Sequence, residues 1–513
     1  MPACYGINLK KILVLFCLCG LSWGVYQVFP IFKSLYTLEN GSPDQPAPAV
    51  AQSVPDPQVS LRTIDVDAMA ARMRKYQDIY RKLRDDSLAV YAKLHPTATK
   101  HDKEAETAIR LACYLWVWDD FYKEGLWKTF GDYMTVIADH PQDSPIFDPM
   151  LNVAWDFQYY REGYCNKDSA IDQVEKRVES LQGSGYPDAF KFWGYMCLIR
   201  SLEDAQRDSA EMKQTMAKSF ALLPQFTDKE IEQYGMLVKQ KLPDYMLYMK
   251  GKQCIDLVEH DASMLTYTAA GIDKVFGQEA SGSVVGPSLQ GAFYASYAWN
   301  ARGGGYADTV TNEGWRLMNE RLAKASEILE NAAINHPNEK MIAEIMLRVE
   351  LGQGKGRERM EKWFHVAVDS DPDDLKAYEM KLYYLLPRWY GSDEEVWNFC
   401  VECLKTQNWG GNVPMVIVSG LEYMHPDASN SQFYADPKIW GLLEPLFQTY
   451  LQHYPQSMIY RSRFAKYAAQ GGHWGTAKQQ FTILGNEWDR DVFSEEEYAA
   501  MKRDSEQHAK DNQ

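Results

Sequence analysis

Four places in the chain bring together residue types that can do chemistry. Arg302 precedes Gly303, Gly304 and Gly305, and consecutive backbone N–H groups in a glycine turn can cradle an anion. Arg388 and Trp389 stand next to each other in YYLLPRWYGSDEEV, Tyr383 to Val396, a cation beside an aromatic face that suits an anionic or aromatic contact on a loop. Cys400 and Cys403 form a C-x-x-C, the spacing of a redox pair in an oxidising compartment. Asp119 and Asp120 lie beside Trp116, Trp118 and Phe121; two carboxyl groups with aromatic platforms are the equipment of glycoside chemistry.

Each place also has a structural reading. No Gly-Lys-Ser or Gly-Lys-Thr follows the glycine triplet and no strand precedes it, so the triplet reads as a flexible connection into a helix carrying Trp315 and Leu322. In the second segment Pro387 stops one helix and Gly391 permits the turn. Ser392 then caps the next helix, with Glu395 three residues on completing a capping box. A cap needs neither Arg388 nor Trp389, which leaves them as a binding contact or as an Arg stacked on Trp to stiffen the turn. Val396, Phe399, Cys400, Cys403 and Leu404 make one apolar stripe at i, i+3, i+4, i+7 and i+8, which predicts buried thiols. No second cysteine pair or nearby histidine supplies zinc ligands, and Cys113, Cys165, Cys197 and Cys254 are too dispersed to assign. Adjacent acids on a helix are usually a solvated face. Metalloprotease, serine-hydrolase and dinucleotide signatures are missing from the sequence. The expected catalytic and metal sets are therefore empty and no cofactor is expected. Arg302, Arg388 and Trp389 remain as candidate binding residues.

The elements that position these residues read as helices from Asp67 onward. Met73, Tyr76, Tyr80 and Leu83 fall at i, i+3, i+7 and i+10 on one helical face, and His95-Pro96 stops the run. No sustained alternating stretch demands a sheet. Pro337 and Pro372 are 35 residues apart. Each follows a helix with matching offsets: Ala325, Leu329 and Ala332 before the first, Met360, Phe364 and Ala367 before the second. Ala465, Ala468, Gly472, Ala477 and Phe481 repeat the order small, small, turn, small, aromatic near the C-terminus. These spacings resemble the tetratricopeptide repeat, a 34-residue helical hairpin that sets small residues where its two helices touch. Less regular units are expected to end at Pro141, Pro224 and Pro455. The glycines from Gly271 to Gly305 suggest a loop or irregular junction, with a boundary near residue 280.

Three segments, YAWNARGGGYADTVTNEGW (Tyr297 to Trp315), YYLLPRWYGSDEEV and the C-terminal GGHW run, resemble motifs of a bacterial helical domain family of no assigned function, often associated with tetratricopeptide-like repeats. The resemblance covers most of residues 100–490. It implies a repeat-like helical fold and lends no catalytic residue.

The N-terminus carries a separate signal. Ile12 to Phe32 holds 21 residues with no charge, just long enough as a helix to cross a hydrocarbon core of about 30 Å. Trp23 and Tyr26 fit a cleavage site poorly, and the apolar run continues past Ser22 and Gly24, favouring a retained anchor over a cleaved signal. Lys10 and Lys11 would hold the short end in the cytoplasm. Pro43, Pro46, Pro48, Pro55 and Pro57 then mark an extended tether. The expected organisation is a signal anchor at 1–33, a tether at 34–64, an N-terminal helical-hairpin domain at 65–280 and a C-terminal tetratricopeptide-like domain at 281–513. The fold class is all-α, a helical-hairpin solenoid behind one membrane helix.

Charge narrows the partner. With 54 Lys and Arg against 70 Asp and Glu, the net charge is −16, against a nucleic-acid partner, which needs clustered positive charge. The expectation is a protein of the bacterial inner membrane, its body in the periplasm or otherwise outside the cytoplasm and exported if the signal is cleaved, that scaffolds an envelope protein or peptide. The second reading is an envelope glycan binder or glycan-cleaving protein using some of the 15 Trp and 32 Tyr as platforms.

Overall fold

The computed structural model describes residues 65–511 apart from 68–69, 71–75, 119–125, 139–147, 162–169, 209–222, 280–281, 425–430, 456, 486–487 and 490–491. The described residues form α-helices, two single 3₁₀ turns and no strand, an all-α fold as expected for this part of the chain. No helix among them is long and apolar enough to cross a membrane. The expected anchor at 1–33 and tether at 34–64 lie outside the described residues.

The chain forms two compact units, Met1–Ile328 and Leu329–Gln513. The first contains α1 (Gln77–Leu94), α2 (Asp102–Trp118), α3 (Leu126–Ala138), α4 (Pro149–Arg161), α5 (Ala170–Gly183), α6 (Asp188–Asp208), α7 (Leu223–Lys239), α8 (Asp244–Leu257), α9 (Ala262–Glu279) and α10 (Val285–Arg302). The division falls within α11 (Asn312–Asn335). The second unit continues with α12 (Lys340–Gln353), α13 (Arg357–Ser370), α14 (Leu375–Tyr384), α15 (Asp393–Lys405), α16 (Val416–Met424), α17 (Ser431–Ala435), α18 (Pro437–His453), α19 (Met458–Gln470), α20 (Trp474–Leu484) and α21 (Glu495–Asp511). Residue 280, the expected boundary, lies in the first unit.

Local rules explain many helix ends. α1 stops at Leu94, just before His95-Pro96, and buries Tyr80, Leu83, Ser87 and Tyr91 on one face. Met73 lies outside the described residues, and Tyr76 sits at the N-cap with a φ of 70°. Pro224, expected to close a unit, instead occupies the first turn of α7, where a missing N–H goes unneeded. The segment from Gly271 to Gly305 is also not the expected loop, since α9 and α10 take up most of it. Gly271 and Gly286 in it lie at helix contacts. A Cβ on Gly271 would lie 2.3 Å from Ile231 Cδ1, so a larger residue there would make the Ile231 side chain of α7 shift.

Within each unit most helix–helix contact joins a helix to its next or next-but-one neighbour along the described order; a longer-range link runs from Lys250 on α8, whose ammonium donates to Trp116 O on α2 at 3.1 Å. In the second unit α12 pairs with α13 and α14, and α14 with α15 and α16; further on, α19 pairs with α20 and α21. The helices starting at Lys340 and Leu375 are 35 residues apart, the spacing of Pro337 and Pro372. Ala325, Ala367, Ala465, Ala468 and Ala477 are all fully buried, as are Leu329 and Met360. Lys340 ties neighbouring hairpins together. Its ammonium lies 2.8 Å from Asp371, 3.5 Å from Glu344 and 3.8 Å from Asp374, so the start of α12 is fastened to the α13–α14 turn.

The first unit buries an acid. Glu230 on α7 is 1% exposed; its Oε1 meets no hydrogen-bond donor among the described residues, and Cys254 is its side-chain hydrogen-bond partner. Burial pushes its carboxyl from 4.5 up to about 8. Between those values the folded chain holds a proton that the unfolded chain has released. This contribution to stability is full below pH 4.5 and is lost as pH rises through about 8, by about 1.4 kcal/mol per pH unit. Glu230→Gln should flatten that slope, so that urea midpoints of variant and wild type diverge as pH rises through the window. Parallel midpoints would show that Glu230 does not carry the burial penalty.

Candidate functional site

Arg302 is the last residue of α10, beside the C-cap Gly303. Its Nη1 donates to the carbonyl oxygens of Gly303 at 3.1 Å and Gly305 at 2.9 Å. The guanidinium lies over the rings of Trp299 at 5.8 Å and Trp315 at 5.5 Å. The polarity is opposite to that of an anion cradle: carbonyl oxygens converge on a cation, where an anion would need converging N–H groups. A cation at a helix C-terminus is also favoured by the macrodipole. Arg302 therefore locks the glycine turn.

Arg388 and Trp389 stand between α14 and α15, and backbone bonds set the turn. Trp389 N donates to Leu386 O at 2.8 Å, and Tyr390 N to Tyr384 O at 3.2 Å. Tyr390 Oη donates to Leu351 O at 2.9 Å, pinning the turn to α12. Ser392 caps α15 as expected, its Oγ accepting from Glu395 N at 3.3 Å. The return arm of the expected capping box is redirected. Glu395 accepts from the Ser392 hydroxyl at 3.2 Å and from Arg357 at 3.0 Å.

The turn presents Arg388 outward. Its guanidinium lies 4.9 Å from the Tyr383 ring centre and 5.8 Å from that of Tyr423, and the side chain is exposed. Among the described residues Arg388 makes no hydrogen bond or ion pair, so its five N–H donors face solvent or a partner. Half-buried Trp389 lies 5.8 Å from Tyr383 and 6.2 Å from Tyr390. Tyr383 and Tyr423 meet edge to face at 6.1 Å. Burial, then Glu379, pushes the Tyr423 phenol up, so it stays neutral beneath the cation. The structure thus joins Arg388 and Trp389 in one cation and aromatic surface, while Arg302 belongs to the other unit. Sequence spacing missed Tyr423. It comes from α16, and only helix pairing brings it under a residue 35 positions earlier.

The remaining chemical candidates resolve into packing where they are described. Cys400 and Cys403 are fully buried thiols beside Val396 and Phe399; burial pushes Cys400 up to about 12 and Cys403 up as well. Asp119, Asp120, Phe121 and Cys165 lie outside the described residues, but Trp116 is core, with the Lys250 ammonium 4.7 Å from its ring centre. Trp193, Trp363 and Trp440 are buried too. An open groove of about 500 Å³ runs along α9 between Tyr267 and Tyr297. Tyr297 already stacks on Phe293 and lies under the Arg321 guanidinium, leaving little ring face for a ligand. Among the described residues no group of three His, Cys, Asp or Glu side chains is placed to hold a metal.

Two substitutions test this geometry. A Cβ on Gly391 would lie 2.2 Å from Leu385 O and 2.7 Å from Leu385 Cα, both backbone atoms that cannot swing away. Gly391→Ala should cost about 1–3 kcal/mol in urea denaturation, and an unchanged midpoint would refute the close approach. Cys400 and Cys403 should resist iodoacetamide at about pH 8 in the folded protein and react once it is unfolded; labelling of the native protein would contradict their burial.

Compared with known proteins, the chain matches no protein-family model and no curated protein at a significant level.

Proposed function

We propose that the protein is a membrane-tethered scaffold of the bacterial envelope whose helical-repeat body, an α-solenoid, binds a protein or peptide partner. The observation that carries this reading is the predominance of contacts between next and next-but-one helices. A chain packed that way grows as an array of hairpins and offers extended surfaces along its side. The 35-residue spacing of α12 and α14 and the buried alanines are what a tetratricopeptide-like array requires. The membrane and envelope parts of the proposal rest on the uncharged run Ile12 to Phe32 and the prolines after it.

The surface chosen for contact is Arg388 with Trp389, Tyr383 and Tyr423. Arg, Trp and Tyr are the residues that dominate protein-binding energy, because each combines large rigid area with a polar handle. A glycan platform has less support, since Trp116, Trp193, Trp363 and Trp440 are buried and the Tyr297 ring at the open groove is already stacked on Phe293.

Crosslinking the full chain in intact cells, followed by stringent capture and mass spectrometry, tests the proposal against a control holding residues 1–64 alone. A body-dependent partner is expected, and Arg388→Ala with Trp389→Ala should reduce its recovery by about tenfold or more, as loss of a binding hot spot does. Recovery unaffected by both substitutions would remove this surface from the proposal. The lack of any body-dependent partner would remove the scaffold itself.

A further inference from the structure

Helix α19 carries three cations, Arg461, Arg463 and Lys466, and no acid. Two of them have carboxylate partners. Arg463 lies 3.9 Å from Glu422, and Lys466 lies 2.9 Å from Glu497. Arg461 is the most buried of the three at 8% exposed, and among the described residues it forms no ion pair. Its neighbours are neutral: Nη1 donates to Gln480 Oε1 at 2.9 Å and Nη2 to Pro455 O at 2.8 Å. Three of its five N–H donors are left over.

The position makes the missing charge more costly. Pro455 precedes α19, so the guanidinium is folded back towards the start of its own helix. The helix macrodipole is positive there and disfavours a cation, and no acidic residue stands in the first turn to offset it. Burial alone pulls the Arg461 guanidinium below its ordinary value. Buried charges in proteins are paired as a rule, because an uncompensated one loses its hydration without return. The chain has 70 acids and a net charge of −16, yet no carboxylate among the described residues pairs with Arg461.

We propose that the counter-charge comes from outside: Arg461, together with the N-terminal turn of α19, forms a binding site for a single oxyanion group, phosphate or carboxylate. The leftover N–H donors of the guanidinium suit two oxygens of one such group, and the helix start adds its positive end. The site lies in the second unit and is independent of the Arg388 surface.

The test titrates the full chain with inorganic phosphate, and separately with acetate, against chloride at constant ionic strength near neutral pH, following the thermal midpoint. A saturable rise is expected. A response to phosphate alone identifies a phosphate ligand, and a response to both identifies a general oxyanion site. Arg461→Gln should weaken the apparent affinity by about tenfold or more. Gln480→Glu places a carboxylate where Nη1 already bonds, so it should raise the midpoint without added anion and abolish the response. If neither anion raises the midpoint, or if the rise survives in both variants, the site is refuted. If Gln480→Glu lowers the midpoint in chloride, Arg461 does not lack a counter-charge, and the proposal is likewise refuted.

Discussion

Close approach of neighbouring helices is the constraint on which the second unit depends. An isolated hairpin cannot bury its apolar stripe, so each must bury it against the next one along the chain. The alanines at 367, 465, 468 and 477 have no exposed surface, and neither has Ala325 at the end of the first unit. A larger side chain at any of them would have to displace a packed neighbour, and cores absorb extra methylenes poorly. In the first unit Gly271 lets the Ile231 side chain of α7 lie against the α9 backbone. The polar links follow from this packing. Lys340 can reach Asp371 and Asp374 only because α12 already lies against α13 and α14.

The parts of this arrangement that were legible in the sequence are those set by residues near one another along the chain. The thiol stripe on α15, the Ser392 cap, the stop before Pro96 and the 35-residue spacing all depend on contacts within one helix or one hairpin, where periodicity and capping chemistry apply directly. The failures have the same origin. Gly271 to Gly305 looked like a loop because glycine lowers helix propensity by about 1 kcal/mol relative to alanine, but a packing requirement on a partner helix outweighs that. Pro224 looked like an end because proline breaks helix interiors, whereas its place in the first turn of α7 starts one.

The candidate site was half legible for a related reason. PRWYGSDEEV revealed that Arg388 and Trp389 exceed what a cap needs, but not that α16 brings a second tyrosine beneath the guanidinium. Arg302 shows a different limit of sequence. Glycines beside an arginine suggest converging N–H groups, yet the turn points the carbonyls of Gly303 and Gly305 inward. Sequence names the residues of a turn without fixing which way its peptides face, and that direction decides whether the turn holds a cation or an anion.

Three arginines in this chain differ in function because they differ in what completes them. Arg302 is completed by its own turn, through two carbonyls and two indole rings. Arg388 has rings on one side and water on the other, so its charge stays solvated and can exchange water for a partner at little loss. Arg461 has neither a carboxylate nor full hydration, and two neutral acceptors supply hydrogen bonds without charge. Hydrogen bonding and charge compensation are separate requirements of a buried guanidinium. The first is met inside the fold at Arg461. The second is left open, at the one end of a helix where an anion is favoured and a cation is not.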